Sequence, residues 1–194
     1  MRYPAAETAE KHQRILQEAA RLFREQGFDG VSVGQIMQAT GLTHGPFYNH
    51  FASKEALMAA STLHGSEHSR AALDAATGSP EAMRQYVRDY MSAAHRDAPG
   101  NGCLLAALAG DARKQPAVRP AFGIHLQSII GKLAAHFPWR KKRNPRQDAI
   151  VMLSAMVGAV ALARAVDDGA LSDEILAAVQ AAYAPTPPAP APPA

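Results

Sequence analysis

Three groups of residues in this 194-residue chain could do chemistry. The first is a lone thiol, Cys103, with His95 and Asp97 close in sequence. A thiolate is a nucleophile and an oxidisable group, and a cysteine in the first turn of a helix is favoured in that form by the helix dipole. That group admits thiol-based sensing or enzymatic chemistry at Cys103. No assembled triad, phosphate loop or metal motif accompanies it, so no enzyme is expected, and a buried small hydrophobe is the plainer reading. The second group is His64 and His68, at i and i+4 on one helix face. Two imidazoles without a third ligand do not make a metal site, and neither metal nor cofactor is expected. The third group is a short polar run: Thr43, His44, Gly45, Pro46, Tyr48, Asn49, His50 and Lys54. Its hydroxyls, amides and cation suit base edges and phosphate oxygens, which is recognition rather than bond breaking.

The elements around this third group set its geometry. Ser32 with Gln35 three residues later is a capping-box pattern, so a helix should begin at Val33. Val33, Ile36 and Met37 share one face at helical spacing. Gly41 sits where that helix must stop, because glycine takes the positive φ of a sharp turn. A second short helix should follow from His44 to about Asn49, with Pro46 tolerated in its first turn. Phe47 and Phe51 at i and i+4 anchor it, and Tyr48, Asn49 and His50 face outward. Ser53 caps the next helix and places Lys54 in its first turn, where an anion is attracted. Two short helices joined by a glycine turn suit the DNA major groove.

The run GLTHGPFYNHFASKEAL, together with ILQEAARLFREQGFDGVSVGQIMQATGL before it, resembles the tetracycline-repressor (TetR/AcrR) family of bacterial transcription regulators. The resemblance covers about Arg14 to Ala60 and includes Ala19, Leu22, Phe23, Gly27 and Phe28 at the family's first-helix spacing. Pro46 departs from the family, which usually has a small residue there; it removes one backbone N–H from the first turn. The resemblance implies an all-α fold of about nine helices. A three-helix helix-turn-helix DNA-binding domain would precede a helical ligand-binding and dimerisation domain. It implies a homodimer on a palindromic operator in double-stranded DNA, acting as a repressor and released by a small-molecule effector. Ser32 joins the run from Thr43 to Lys54 as a DNA-binding residue.

Composition fits this outline. Hydrophobic residues make up 47% and aromatics only 6%, so abundant alanine favours close-packed helices. One cysteine excludes a disulfide framework. The formal net charge of +3 is small. Within residues 1–60 the cations Arg2, Lys11, Arg14, Arg21, Arg24 and Lys54 are balanced by acidic residues, so the DNA reading rests on the motif. Histidines 12, 44 and 50 can add charge near DNA when protonated. No run reads as a bilayer span or signal peptide, so no membrane partner and a cytoplasmic location are expected.

The chain divides at about residue 60: a DNA-binding domain over 1–60, an effector-binding and dimerisation body over 61–183, and a Pro/Ala-rich tail over 184–194. A first helix runs from about Glu7 to Gln26 and a linking helix from Ser53 to about Ala76. A helix from Pro80 to about Arg96 carries Met83, Tyr86, Val87, Tyr90, Met91 and Ala94 on one stripe. Tyr86, Tyr90, Met91, Cys103, Leu104, Phe122, His125 and Leu126 are the candidate effector-pocket residues, combining adaptable apolar surface with a few polar groups. The loop Trp139–Arg146 is basic and reads as solvated surface. A helix from Arg146 to about Asp167 is apolar all round, so most of its sides must be buried. Ser172 caps the last helix, with Leu171 and Leu176 as a staple. The family places its dimer bundle on these last two helices, which gives Leu153, Met156, Val157, Gly158, Ala161, Leu176, Val179 and Tyr183 as interface residues.

Overall fold

The computed structural model describes residues 5–43, 45–139 and 144–185. Among them the chain forms nine α-helices, two 3-10 turns and no strand. The helices are α1 (Ala5–Gln26), α2 (Val33–Ala39), α3 (Lys54–Ala76), α4 (Pro80–Tyr90), α5 (Ala93–Asp97), α6 (Leu104–Ala112), α7 (Arg119–His136), α8 (Pro145–Ala165) and α9 (Gly169–Tyr183). The 3-10 turns are Gly45–Asn49 and Pro99–Asn101. Local signals set most starts: Ser53, Ser79 and Asn144 each accept a backbone N–H of the first turn, and Pro80 and Pro145 occupy first helical positions.

Two apolar clusters hold these helices together. One joins Ile15, Ala19 and Phe23 of α1, Ile36 and Met37 of α2, and Phe47, Phe51 and Leu57. The other joins Leu73, Val87, Ile129, Leu133, Met152, Met156, Val160 and Leu176. Helix α6 belongs to both: Leu104, Leu108 and Ala112, at i, i+4 and i+8, pack into the first cluster. Leu105 turns into the second. The head's apolar cluster therefore draws on residues well past position 60, including Val118.

The structure corrects several expectations. The helix from Pro80 does not reach Arg96. It stops at Tyr90, because Ser92 starts a new one: its hydroxyl donates to Asp89 O (2.7 Å) and accepts from His95 N (3.2 Å). Ala94 is thereby turned outward. Ser172 is not the cap of α9. Asp168 is, accepting from Ala170 N at 2.9 Å and Leu171 N at 3.1 Å. Ser172 lies inside the helix, buried, and donates to Ala163 O at 2.8 Å. Leu171 stays exposed and makes no staple. On length and composition alone α8 is apolar enough to cross a membrane, which the sequence reading denied. In the fold it packs on α7 and α9 with Ala149, Met152 and Val160 buried. Ala184, assigned to the tail, is buried in the body cluster. The rest of the tail (186–194), the basic stretch 140–143, the N-terminal arm 1–4 with Arg2, and His44 lie outside the described residues, as do the side chains of Pro46 and His68.

Ser172→Ala leaves a buried carbonyl of α8 without its donor. It should lower unfolding stability by about 1–3 kcal/mol in urea denaturation. A loss near zero would remove Ser172 from the α8–α9 junction.

Candidate nucleic-acid interface and body cavity

The helix-turn-helix is built by local hydrogen bonds. Gln35 N donates to Ser32 Oγ (3.2 Å) while Ser32 N donates to Gln35 Oε1 (2.7 Å), closing the box that starts α2. The helix ends at Gly41, whose φ is 72°. Gly41 N donates to Gln38 O and Leu42 N to Met37 O, both at 3.0 Å, the paired bonds of a Schellman turn. The reading element that follows is one 3-10 turn, Gly45–Asn49, rather than an α-helix. Phe47 is 1% exposed and Phe51 6%, and their rings lie 5.9 Å apart. They hold Thr43, Gly45, Tyr48 and Asn49 at the surface, with Tyr48 67% exposed.

His50 does not share that outward face. It is half-buried, its ring 5.7 Å from His12, which stacks on Phe51 at 4.6 Å. Burial first, then His12 and Lys11, push its pKa down, so the charge expected of it near DNA is disfavoured. Lys54 is the first residue of α3, beside the Ser53 cap, and forms no salt bridge among the described residues. The cations of α1 are engaged differently: Arg14 pairs with Glu10, Arg21 with Glu18 and Glu25, and Lys11 with Glu7.

A cavity of about 450 Å³ opens in the body between α3, α4, α6 and α7. Of the candidate effector-pocket residues, Tyr86, Tyr90, Cys103 and His125 line it. Four other pocket candidates do not. Leu104 faces the head cluster, Met91 is sealed in the body core, Phe122 packs between the two clusters, and Leu126 points outward. The phase of α7 decides the last of these: Ala121, His125, Ile129 and Leu133 form its inner row. Sequence reasoning missed Ser69, Asp89, His95, Ile129 and Leu153 in the lining.

One side of the cavity is a strap, Ala98–Cys103, held by hydrogen bonds. His95 Nδ1 faces Tyr90 O at 2.7 Å and its Nε2 accepts from Cys103 N at 2.9 Å, which puts the proton on Nδ1. Arg164 donates to His95 O (2.9 Å) and Arg96 O (2.8 Å). From the head, Arg24 Nε donates to Gly100 O at 2.8 Å. Cys103 is half-exposed and caps α6 with its backbone, rather than lying in the first turn or the core.

Residues 15–61 match the family model described as bacterial regulatory proteins, tetR family. That segment is a TetR-family helix-turn-helix. An HTH-type transcriptional repressor of Mycobacterium tuberculosis is 33% identical over 85 residues, covering 44% of this chain and 43% of that protein. The chain spans about half or less of the curated relatives it matches. Two solved structures share the fold. A TetR-family regulator from Cytophaga hutchinsonii has a TM-score of 0.76 at 23% identity, over 92% of this chain and 95% of that one. A protein named AibR, in complex with isovaleryl coenzyme A and operator DNA, has a TM-score of 0.64 at 18% identity, over 90% and 98%.

The candidate dimer residues differ in exposure. Leu153, Met156 and Leu176 are buried inside the protomer, and Val179 and Tyr183 pack against its core. Val157 also packs on that core, while Gly158 is partly exposed and Ala161 exposed. The outer face of α8 instead carries Ile150, Val151 and Leu162, all exposed.

His125 is 2% exposed, and burial, aided by the charge of Arg70, pushes its pKa from 6.5 down to about 4. The folded value lies below the unfolded one, so the unfolded chain takes up the proton first as pH falls. Stability from this residue is lost between about pH 6.5 and 4, on the order of 3 kcal/mol. His125→Leu should flatten that part of a stability-against-pH curve; an unchanged slope would show His125 already protonated in the fold.

Proposed function

We propose that this chain is a DNA-binding transcriptional regulator of the TetR family, a repressor that binds a palindromic operator as a homodimer and leaves it when a small molecule enters the body cavity. The observation that carries the reading is the polar surface of the Gly45–Asn49 turn. Thr43, Gly45, Tyr48 and Asn49 stand exposed on a backbone pinned by Phe47 and Phe51, inside the segment that matches the family. Ser32, Tyr48 and Lys54 take phosphates and fix register; Thr43, His44, Gly45, Pro46 and Asn49 approach bases, with His50 as a packing residue at the edge. The head spans residues 1–60 in the chain, with α6 as its underside, and the body 61–183 holds the cavity.

AibR, with operator DNA and an acyl-CoA in one complex, is a protein of this fold that holds both partner classes. Release of DNA requires the ligand to bind the two states of the protein unequally. The strap supplies the contact: Asn101, Gly102 and Cys103 line the cavity, and the adjoining Gly100 carbonyl holds Arg24 of α1. The second copy is favoured by the outer face of α8. Ile150, Val151 and Leu162 form an apolar strip, with Leu171 of α9 exposed as well. Single exposed apolar residues are ordinary; a strip of them along adjoining helices suits a twofold helical bundle.

Operator selection from a random DNA pool, followed by titration at several salt concentrations, tests the DNA reading. Lys54→Ala should weaken binding similarly across sequences and lower the salt slope by about 1. An unchanged slope would take Lys54 off the phosphate backbone, and no enriched sequence would sink the specific regulator.

Gly158 has open space where a Cβ would stand. Gly158→Arg should therefore fold normally while converting dimer to monomer in sedimentation equilibrium. A dimer that persists at nanomolar concentration places the interface elsewhere.

A further inference from the structure

The cavity has a chemical character that narrows its occupant. Tyr90 and His125 line the cavity; His125 Nε2 is buried without a hydrogen-bond partner, and buried Tyr90 Oη has only the neighbouring Cys103 thiol, a weak one. Burial of an unpaired polar atom costs free energy that a ligand group can recover. The remaining wall is mostly small and apolar, with Ala72, Ala76, Leu105, Ile129 and Leu153. At about 450 Å³ it falls within the roughly 300–1,000 Å³ that holds small organic ligands.

Charge decides the class. No lysine or arginine is among the described lining residues, and the one carboxylate, Asp89, is exposed and accepts from Gln85 Nε2 at 2.7 Å. The nearby cations are not part of the lining, although Arg164 acts electrostatically on Tyr90 and Cys103 and Arg70 on His125. Arg24 and Arg164 stand behind the strap and donate to the carbonyls of residues 95, 96 and 100. His125 and the two tyrosines stay neutral at pH 7: burial holds the imidazole pKa low and both phenol pKa values high. An anion would enter a low-dielectric site with no cation in its lining to pair with, at a desolvation cost that a neutral ligand avoids.

We infer that the cavity binds an uncharged, largely apolar molecule bearing a hydroxyl or carbonyl, which pairs with Tyr90 Oη and His125 Nε2. The inference rests on reading this cavity as the effector site, and it separates this chain's ligand from the phosphorylated acyl-CoA in AibR. A neutral hydroxyl both donates and accepts, as do a phenol and a neutral imidazole between its tautomers. The polar atoms therefore fix orientation while the alanine- and leucine-lined wall supplies the affinity.

The test uses the full chain, 2-naphthol as the neutral probe and 2-naphthoate as its anionic counterpart, with binding read by calorimetry. 2-Naphthol should bind one per chain, and 2-naphthoate at least about ten-fold more weakly. Tyr90→Phe and His125→Leu should each weaken 2-naphthol by about three- to ten-fold. His125→Leu also removes an unpaired buried polar atom, so this variant without ligand should melt no lower than the parent at pH 7. Equal or tighter binding of 2-naphthoate, no binding of 2-naphthol, or full affinity in both variants overturns the inference. DNA release is measured separately. If 2-naphthol binds with these dependences and leaves the DNA complex intact, the ligand class stands and the effector role falls.

Discussion

Two guanidinium groups hold the segment on which the rest of the body depends. Arg24 reaches from α1 to the carbonyl of Gly100, and Arg164 reaches from α8 to the carbonyls of His95 and Arg96. Burial lowers the pKa of both, and their bonds to carbonyls offset part of that cost, although Arg164 Nη1 is buried without a partner. The carbonyls they hold come from α5 and the strap, the part of the chain with the least regular helix. A one-turn helix followed by a single 3-10 turn leaves carbonyls that helix bonding does not satisfy, and these side chains satisfy them. His95 completes the arrangement by bonding Tyr90 O on one side and Cys103 N on the other. The start of α6 is thereby fixed, and with it the division of Leu104 and Leu105 between the two apolar clusters.

This places the cavity wall one residue from the head. Asn101, Gly102 and Cys103 touch the cavity, Gly100 touches Arg24, and Arg24 lies on the helix whose Ile15, Ala19 and Phe23 support the reading turn. A second link runs lower down, where Phe28 N donates to Asp111 Oδ2 at 3.2 Å and Gln115 Nε2 to Asp29 Oδ1 at 3.0 Å. Helix α6 is thus tied at both ends to the loop and helix that carry the head. A ligand that shifts the strap acts on bonded, packed elements, the kind of contiguous contact through which coupling between sites can pass. Helix α3, continuous from Lys54 to Ala76, is a parallel path, since it begins beside the reading turn and ends at the cavity.

What was legible in the sequence was local. Ser32 with Gln35, Gly41, Ser53, and Ser79 with Pro80 fix element ends through bonds within four residues, and the structure has each of them. Phe47 and Phe51 were legible because an apolar pair in a polar run has one place to go. The misses share a cause. Helix α7 is apolar on too many sides for its phase to be read, so Leu126 stands beside His125 as a pocket candidate although only His125 faces inward. Helix α8 is worse: Leu153 and Met156 face the core while Ile150, Val151 and Leu162 face out, and composition does not separate the sets. Ser172 shows the limit of a capping motif. Asp168 stands four residues earlier and makes the stronger, charge-assisted cap, and only packing reveals that Ser172 is needed against Ala163 O.

The ambiguity of α8 follows from its position. A helix that packs on α7 and α9 on one side needs apolar residues there. Its outer side is apolar as well, and small residues at Ser154, Gly158 and Ala161 leave room for another helix to approach closely. The inner side also reaches the cavity through Leu153. The helix proposed to meet the second copy is therefore the one that touches the proposed ligand, and its C-terminal Arg164 holds the strap. Cavity, strap and outer face are thus presented by one rigid element. A displacement at Leu153 must move the carbonyl anchor of His95 or the outer strip, because close-packed helices transmit displacement rather than absorb it.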